Sequence, residues 1–535
     1  MARGDVLLLG GMVVDGTGSP ARRADVAVQG DRIAAVGALA GRPADTVLDV
    51  TGLVVAPGFI DMHSHSDLAL LANPRAESKL RQGVTTEVIG QCGFSPAPAP
   101  AARRAEIRAL FAEWSPEFEV EWAWESLGEY LQAWRASPAS VNVVPVVGHG
   151  TVRAAVMGGE QRPPTPAELT RMRAAVREAM RQGARGLSTG LAYAPSMFAD
   201  AAEIGALARE AARLGGVYFT HLRDESDGLL QALGEALDIG RRADVPVQIS
   251  HLKCGGRRNH GRAAEALGLI DQARAEGVAV SFDAYPYTAW NTTLLQLLPP
   301  WARDAGVERA VSWLGDPGRR ARIERELAAA AGAEPGMWEQ RLVAAVGANG
   351  NRGLQGLTLA QAAARLRLRP EQVVTKLLAE EQGRVSMVGF GMSEEDVRTI
   401  VAHPGCMIGS DAVTAAPYGP LGQSHPHPRG YGTFPRVLGH YVREERVLAL
   451  EAAVAKMTGG PARKLGLADR GRVAAGMAAD LVVFDPARIA DRASYEKPHQ
   501  YPAGVHYVIV NGVIELRGET HCDRRPGRVL ARPAG

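Results

Sequence analysis

The sequence predicts an α/β fold: a (β/α)8 TIM-like barrel, a small β-sandwich domain formed by both chain ends, and an insertion after the seventh barrel strand. Three observations carry this expectation. Eight short runs rich in β-branched and aromatic residues are entered from turns and left into loops. Helix-like stretches separate most of them. Strand-like runs at the two chain ends are too few at either end for a comfortable sheet, so the ends are expected to pair.

Residues 1 to about 56 read as short strands, Val6 to Leu9, Met12 to Val14, Val26 to Gln29, Arg32 to Val36 and Val47 to Val55, with Asp-Gly and Gly-Asp turns between them. Arg472 to Phe484 and Val505 to Leu516, with the hairpin dipeptide Asn511-Gly512, have the same character. The expected composite domain is therefore 1–56 plus 456–535, and the barrel spans 57–455. The barrel runs start with Gly58 to Asp61 and continue at Thr86 to Cys92, Val143 to His149, Gly186 to Gly190, Val217 to His221, Val247 to His251, Ala279 to Tyr287 and Cys406 to Asp411. One intervening helix is signalled from Thr165 to Gly183 by an N-cap, a first-turn proline, a capping-box glutamate and a stop glycine. Another starts at Asp200. From about 290 to 390 the strand pattern lapses. Helix-like runs at Ala302 to Trp313, Arg319 to Ala331 and Leu359 to Glu380 mark an insertion over the mouth of the barrel, either a lid or pocket wall or an oligomerisation insert.

A chain of 535 residues with formal charge +2 has the composition of a globular α/β protein and no basic field to support a nucleic-acid partner. No apolar stretch approaches the roughly 18 to 20 residues of a membrane helix. Met1 to Asp5 precede a short apolar run interrupted by Gly10 and Gly11, which reads as a strand and not as a signal peptide. Four cysteines make no disulfide framework in such a length, and the expected compartment is a reducing cytoplasm.

His63-Ser64-His65 ends the first barrel run, and strand alternation puts both imidazoles on one side, where they could share a metal. A lone His-x-His is a weak signal. Cys92, His221, His251 and Asp411 also fall at run ends, however, and a (β/α)8 barrel concentrates its chemistry there. Thiolate and imidazole ligands together suit zinc. Asp411, at the end of the eighth run, is the expected general base and acid, as against a solvated loop carboxylate.

The phrases Ala56-Pro57-Gly58-Phe59-Ile60-Asp61-Met62-His63-Ser64-His65-Ser66-Asp67, Thr220-His221-Leu222-Arg223, Ile249-Ser250-His251-Leu252-Lys253 and Gly409-Ser410-Asp411 resemble the amidohydrolase superfamily. Gln91-Cys92-Gly93-Phe94-Ser95-Pro96 and His427-Pro428-Arg429-Gly430-Tyr431-Gly432-Thr433-Phe434-Pro435-Arg436 resemble its D-aminoacylase (N-acyl-D-amino-acid deacylase) branch. The resemblance implies a tight zinc on Cys92, His221 and His251. It also implies a weaker second position at His63 and His65, near Cys92 and Asp411. The fourth run, Arg185 to Gly190, lacks the lysine that dihydroorotase and hydantoinase relatives carboxylate to bridge two metals, so Cys92 would take the bridging role. The implied activity is zinc-dependent hydrolysis of small-molecule N-acyl-D-amino acids. The alternatives are hydrolysis of another amide, such as a D-residue-containing dipeptide or an acylated amine, and a non-catalytic barrel.

A substrate carboxylate needs a cationic anchor. Arg429 fits the branch phrase, and Lys253, two residues past His251, is a helper. Tyr193, Tyr285 and Tyr287 are candidate hydroxyl donors or packing residues. Arg223 is expected to pair with Asp224 or Glu225, and Cys254, His149, His260, His403 and His425 to be structural or surface residues. Two departures from the branch pattern, Pro195 to Ala199 and a long segment from Ala412 to His427, lie near the expected pocket and bear on substrate identity.

Overall fold

The computed structural model describes residues 5–112, 120–347 and 350–532; Met1 to Gly4 of the amino-terminal reading lie outside them. Among these residues eight parallel strands form the barrel: β1 (Phe59–Asp61), β2 (Val84–Ile89), β3 (Asn142–Pro145, resumed at Val147–Gly148), β4 (Gly186–Gly190), β5 (Val217–His221), β6 (Val247–Ile249), β7 (Val280–Ala284) and β8 (Cys406–Ile408). Each pairs with the next, and Met62 N donating to Ile408 O at 3.3 Å, with a Ser64–Ala412 bridge, joins the last strand to the first. Gly409 permits that closure, because a Cβ there would stand 2.7 Å from His63 Cβ.

The helices follow their caps. Pro166–Arg181 starts on a Thr165–Glu168 capping box, and Ala201–Arg213 on the Asp200 carboxylate, which accepts from Glu203 N. Leucine, isoleucine, valine and alanine faces of these helices and the outer strand residues form one continuous core, while Ile60, Val88, Val144 and Phe219 fill the barrel interior. None of the described helices is long and apolar enough to cross a membrane.

The chain ends build two sheets. Arg32–Gly37, Asp25–Gln29, Val6–Leu9 and Thr46–Asp49 form one. The other runs through Thr520–His521, Val513–Arg517, Val505–Val510, Leu481–Phe484, Val54–Pro57, Met12–Val13 and Arg22–Arg23. Val54–Pro57 pairs directly with Leu481–Phe484, so the two ends share a ladder. Val6, Leu8, Val26 and Ile33 of the first sheet meet Val55, Leu481, Val483 and Ile509 of the second in a common apolar layer.

Several expectations need correction. The run Val47 to Val55 is two strands in different sheets, divided at the turn containing Gly52 (φ 81°). Arg472 to Asp480 is not strand, and the ladder begins at Leu481. Residues 527–532 leave the β-domain and run along the barrel, where Val143 N donates to Arg528 O and Leu530 N to Val143 O. His149 opens the helix His149–Met157 and does not extend β3. The insertion is not strand-free: Ala289–Thr293, Val385–Phe390 and Arg341–Val346 make an antiparallel sheet. Arg341–Val346 mixes Val343 and Val346 with two alanines and is held as a strand by partners distant in sequence. The run Ala302 to Trp313 is two helices, Pro300–Arg303 and Val307–Leu314, broken at Gly306 (φ 87°). Leu359 to Glu380 is also two, Leu359–Leu366 and Pro370–Glu380, since Arg369 precedes a proline and takes extended backbone. One face of the insertion sheet packs Val343, Val346, Val385 and Met387 on those helices. The other carries Ala289, Leu342, Ala344 and Val388, and Asn291, Ala344, Ala345 and Ser386 border the cleft beside Asp411.

Candidate metal centre and active site

Three residues at the carboxyl ends of barrel strands hold left-handed backbone despite carrying a Cβ: Cys92 (φ 52°), His251 (φ 34°) and Asp411 (φ 50°). Such conformations cost on the order of 1–3 kcal/mol each and persist where the surroundings enforce them. Here they turn three side chains inward to one point. Cys92 Sγ lies 3.3 Å from His63 Nε2, 3.4 Å from His251 Nε2 and 3.8 Å from His221 Nδ1, and His221 Nδ1 is 3.0 Å from His251 Nε2. Tetrahedral zinc with ordinary bond lengths sets its ligand atoms about 3.4 Å (N···N) to about 3.6 Å (S···N) apart. The donor set Cys92, His221 and His251 fits that ion.

The second group adjoins it. Asp411 Oδ1 is 3.1 Å from His65 Nε2 and 3.5 Å from His63 Nε2, and His63, Cys92, His251 and Asp411 bring one ligand atom each within 4.8 Å of one another. Cys92 therefore stands between the two groups. Burial, with the Asp411 and Glu225 carboxylates, pushes the Cys92 thiol up, so its ionisation calls for a cation beside the sulfur. Burial also pushes His221 down to about 3 and His65 down to about 4, leaving both imidazoles in the neutral form that can coordinate a metal.

Outer partners orient the ligands. Asp283 faces His63 Nδ1 at 3.2 Å and accepts from His251 N at 2.8 Å. Glu225 Oε1 is 3.0 Å from His251 Nδ1 and Oε2 is 3.5 Å from His221 Nε2, so one carboxylate steadies both rings by the nitrogen that faces away from Cys92. Lys253 Nζ lies 2.6 Å from Glu225 and 2.8 Å from His251 Nδ1, which places it first as the partner of Glu225. Sequence reasoning missed Glu225 in this role; its spacing, four residues past His221, was the available signal. Arg223 pairs instead with Glu235, at 2.8 and 2.9 Å, because its side chain points back toward the helix that follows.

A buried polar web below the metal groups was also missed. Asp61 accepts from Ser410 N, Ser410 Oγ and Lys79 Nζ at 2.6 to 2.8 Å, and Glu87 accepts from Ser64 and Ser66. Lys79, fully buried, thus ties the end of β1, which leads into His63, to the loop after β8, which carries Asp411.

Asp411 Oδ2 is 2.8 Å from Arg429 Nη1. Burial alone would raise the carboxyl, but Arg429, His251 and the His65 hydrogen bond outweigh it and hold Asp411 well below the usual range. The Arg429 guanidinium lies over the Tyr285 ring, 4.6 Å from its centre. The Tyr193 ring is 4.8 Å from His221 and its hydroxyl is 3.3 Å from Thr292. Tyr287 is set farther out, its hydroxyl 3.4 Å from Asp491 and Arg436 over its ring. His149 is buried between Ser196 and Glu203. A cleft leads outward from His65, Asp411 and Arg429, bordered by Ala344, Ala345, Val413, Ala415 and Leu421.

Residues 46–514 match the model of the Amidohydrolase family. A D-aminoacylase of Alcaligenes xylosoxydans xylosoxydans is 42% identical over 530 residues, 99% of this chain and 98% of its own. The chain belongs to the amidohydrolase family, in its D-aminoacylase branch. Two further proteins of that organism are nearly as similar: an N-acyl-D-glutamate deacylase, 40% identical over 99% of this chain and 97% of its own, and an N-acyl-D-aspartate deacylase, 39% identical over 99% and 95%. Among solved structures, a D-aminoacylase described as having a binuclear metal center is 40% identical with a TM-score of 0.82, over 99% of this chain and all of the other. An N-acyl-D-glutamate deacylase from Bordetella bronchiseptica, complexed with zinc and a phosphonate inhibitor, is 36% identical with the same score and coverage. The protein is an amidohydrolase of the D-aminoacylase type, with N-acyl-D-amino-acid deacylase activity.

Proposed function

We propose that this amidohydrolase hydrolyses N-acyl-D-amino acids with neutral, hydrophobic side chains, releasing a carboxylate and a D-amino acid. It uses one tight zinc on Cys92, His221 and His251 and a weaker second position at His63 and His65. One observation supports the substrate class above all: Arg429 Nε and the Tyr285 hydroxyl are buried without a hydrogen-bond partner among the described residues, the guanidinium lying over the Tyr285 ring while Nη1 pairs with Asp411. Buried donors left unmatched are costly, and a guanidinium fork beside a phenol suits an α-carboxylate. Lys253, 5.8 Å from the Tyr285 ring on the metal side, adds positive potential.

A bound zinc supplies an acidified water and polarises the scissile carbonyl. Asp411 is ionised and stands among the ligand atoms, so it takes the proton and returns it to the departing amine nitrogen. Arg429, by holding both Asp411 and the substrate carboxylate, sets the distance between the base and the α-carbon. The side-chain preference follows from the cleft: Ala344, Ala345, Val413, Ala415 and Leu421 border it, and Arg429 is its one permanent cation among the described lining residues. An acidic side chain would call for another.

A panel of N-acetyl D- and L-amino acids, read by released amine, tests the reading. N-acetyl-D-leucine and N-acetyl-D-phenylalanine are expected to turn over fastest. Faster turnover of the L enantiomers, or of N-acetyl-D-glutamate or N-acetyl-D-aspartate, would refute it.

A further inference from the structure

The geometry points to His427 as the positioning residue for Arg429: its ring holds the arginine's backbone through Nδ1 and reaches the insertion through Nε2. The inference rests on the proposed role of Arg429 as carboxylate anchor and extends it to a residue outside the anchor itself.

Arg429 N donates to His427 Nδ1 at 3.0 Å. An amide can only donate, so Nδ1 presents its lone pair and the ring hydrogen sits on Nε2. Nε2 lies 3.0 Å from Ala289 O, the first residue of the insertion strand Ala289–Thr293, and accordingly donates to it. Arg429 opens the helix Arg429–Arg436, and its amide has no acceptor within that helix; the His427 ring supplies one. The ring is 4% exposed and cannot swing freely. Tyr287 and Tyr495 stand edge-on to it at 5.3 and 5.1 Å, and the Tyr495 hydroxyl is 3.4 Å from Nε2. Three elements thus meet on one imidazole: the insertion strand, the segment carrying Tyr495, and the helix carrying Arg429.

This matters because a guanidinium recognises a carboxylate through two parallel hydrogen bonds whose direction is set by the arginine's backbone. His427 fixes that backbone relative to the insertion sheet that borders the cleft. Its ring borders the same cleft, but both ring nitrogens are engaged, by Arg429 N and Ala289 O, so it acts through Arg429.

The two ring contacts can be separated by substitution. His427→Asn places an amide oxygen near the Nδ1 position and keeps the acceptor for Arg429 N, whereas His427→Gln places an amide nitrogen near Nε2 and keeps only the link to Ala289. KM for N-acetyl-D-leucine is expected to stay within about twofold of wild type in His427→Asn and to rise about tenfold in His427→Gln, the loss of one aligned hydrogen bond. The inhibition constant of N-acetyl-D-leucinamide, which lacks the carboxylate, should be unchanged in both, as should zinc content. Equal KM values in the two variants, or a parallel loss for the amide, overturns the inference. Arg429→Met separates its failure from that of the anchor reading. If that variant leaves the preference for acid over amide intact, the anchor reading falls and His427 with it. If it abolishes the preference while His427→Gln behaves as wild type, only the role of His427 falls. The wild-type protein with 15N-labelled histidine offers a check that needs no variant: the His427 resonance is expected as the Nε2–H tautomer at neutral pH, and an Nδ1–H tautomer would overturn the assignment.

Discussion

Asp411 Oδ2 sits 2.8 Å from Arg429 Nη1, while Asp411 Oδ1 faces His65 and His63. One carboxylate therefore divides its two oxygens between an arginine on the cleft and the imidazoles of the candidate metal centre. Asp411→Asn keeps this shape and removes the base. We expect kcat to fall by about a hundred- to ten-thousand-fold with kcat/KM falling in step, while zinc measured by elemental analysis stays near wild type. Loss of the tight zinc would make Asp411 primarily a ligand.

The Cys92 sulfur lies within 3.8 Å of a nitrogen of each of His63, His221 and His251, so it is the hub of both ligand groups. Cys92→Ala is expected to lower zinc content after mild dialysis well below one per chain and to abolish turnover. Full occupancy in that variant would show that the histidines alone hold the ion.

Glu225 touches the outward nitrogens of both His221 and His251 and is itself held by Lys253. Removing such an outer partner typically weakens metal affinity by about 10- to 100-fold. Glu225→Gln should show that loss in a competitive chelator titration, with secondary structure by circular dichroism unchanged. Affinity equal to wild type would remove Glu225 from the centre.

Burial, with Glu87 nearby, pushes the Asp67 carboxyl up from 3.8 to about 8. Between those values the folded chain holds a proton that the unfolded chain has lost, so this group's contribution is complete at low pH and declines as pH rises through the window, levelling above about 8. Asp67→Asn cannot ionise. The unfolding temperature of that variant should fall less than that of wild type from about pH 4 to about pH 8, and identical slopes would exclude Asp67 as a source of pH sensitivity.

Much of the centre was legible because it sits at strand ends, where local periodicity brings a residue type to a known place. His63 and His65 follow β1 by alternation. Cys92, His221, His251 and Asp411 each terminate an apolar run, and the branch phrases placed Arg429. Glu225, Asp61, Lys79 and His427 were not legible in the same way. Asp61 and His427 meet partners from distant elements, Ser410 at 349 residues and Ala289 at 138, and no local pattern encodes such meetings; Glu225 carried only its four-residue spacing from His221 as a signal. The insertion sheet escaped for the same reason: Arg341–Val346 and Val385–Phe390 are strands because they pair with one another.

By itself the sequence determined the barrel, the paired chain ends and the inventory of candidate ligand types, since hydrophobic period, caps and turn residues act within a few residues of the chain. Only the tertiary structure decided which nitrogen of each histidine faces Cys92, which carboxylate steadies it, and that Arg429 bridges Asp411 and the cleft. Those outcomes depend on left-handed backbone at Cys92, His251 and Asp411 and on side chains converging from separate strands. Barrel closure enforces that convergence, and no one segment could impose it alone.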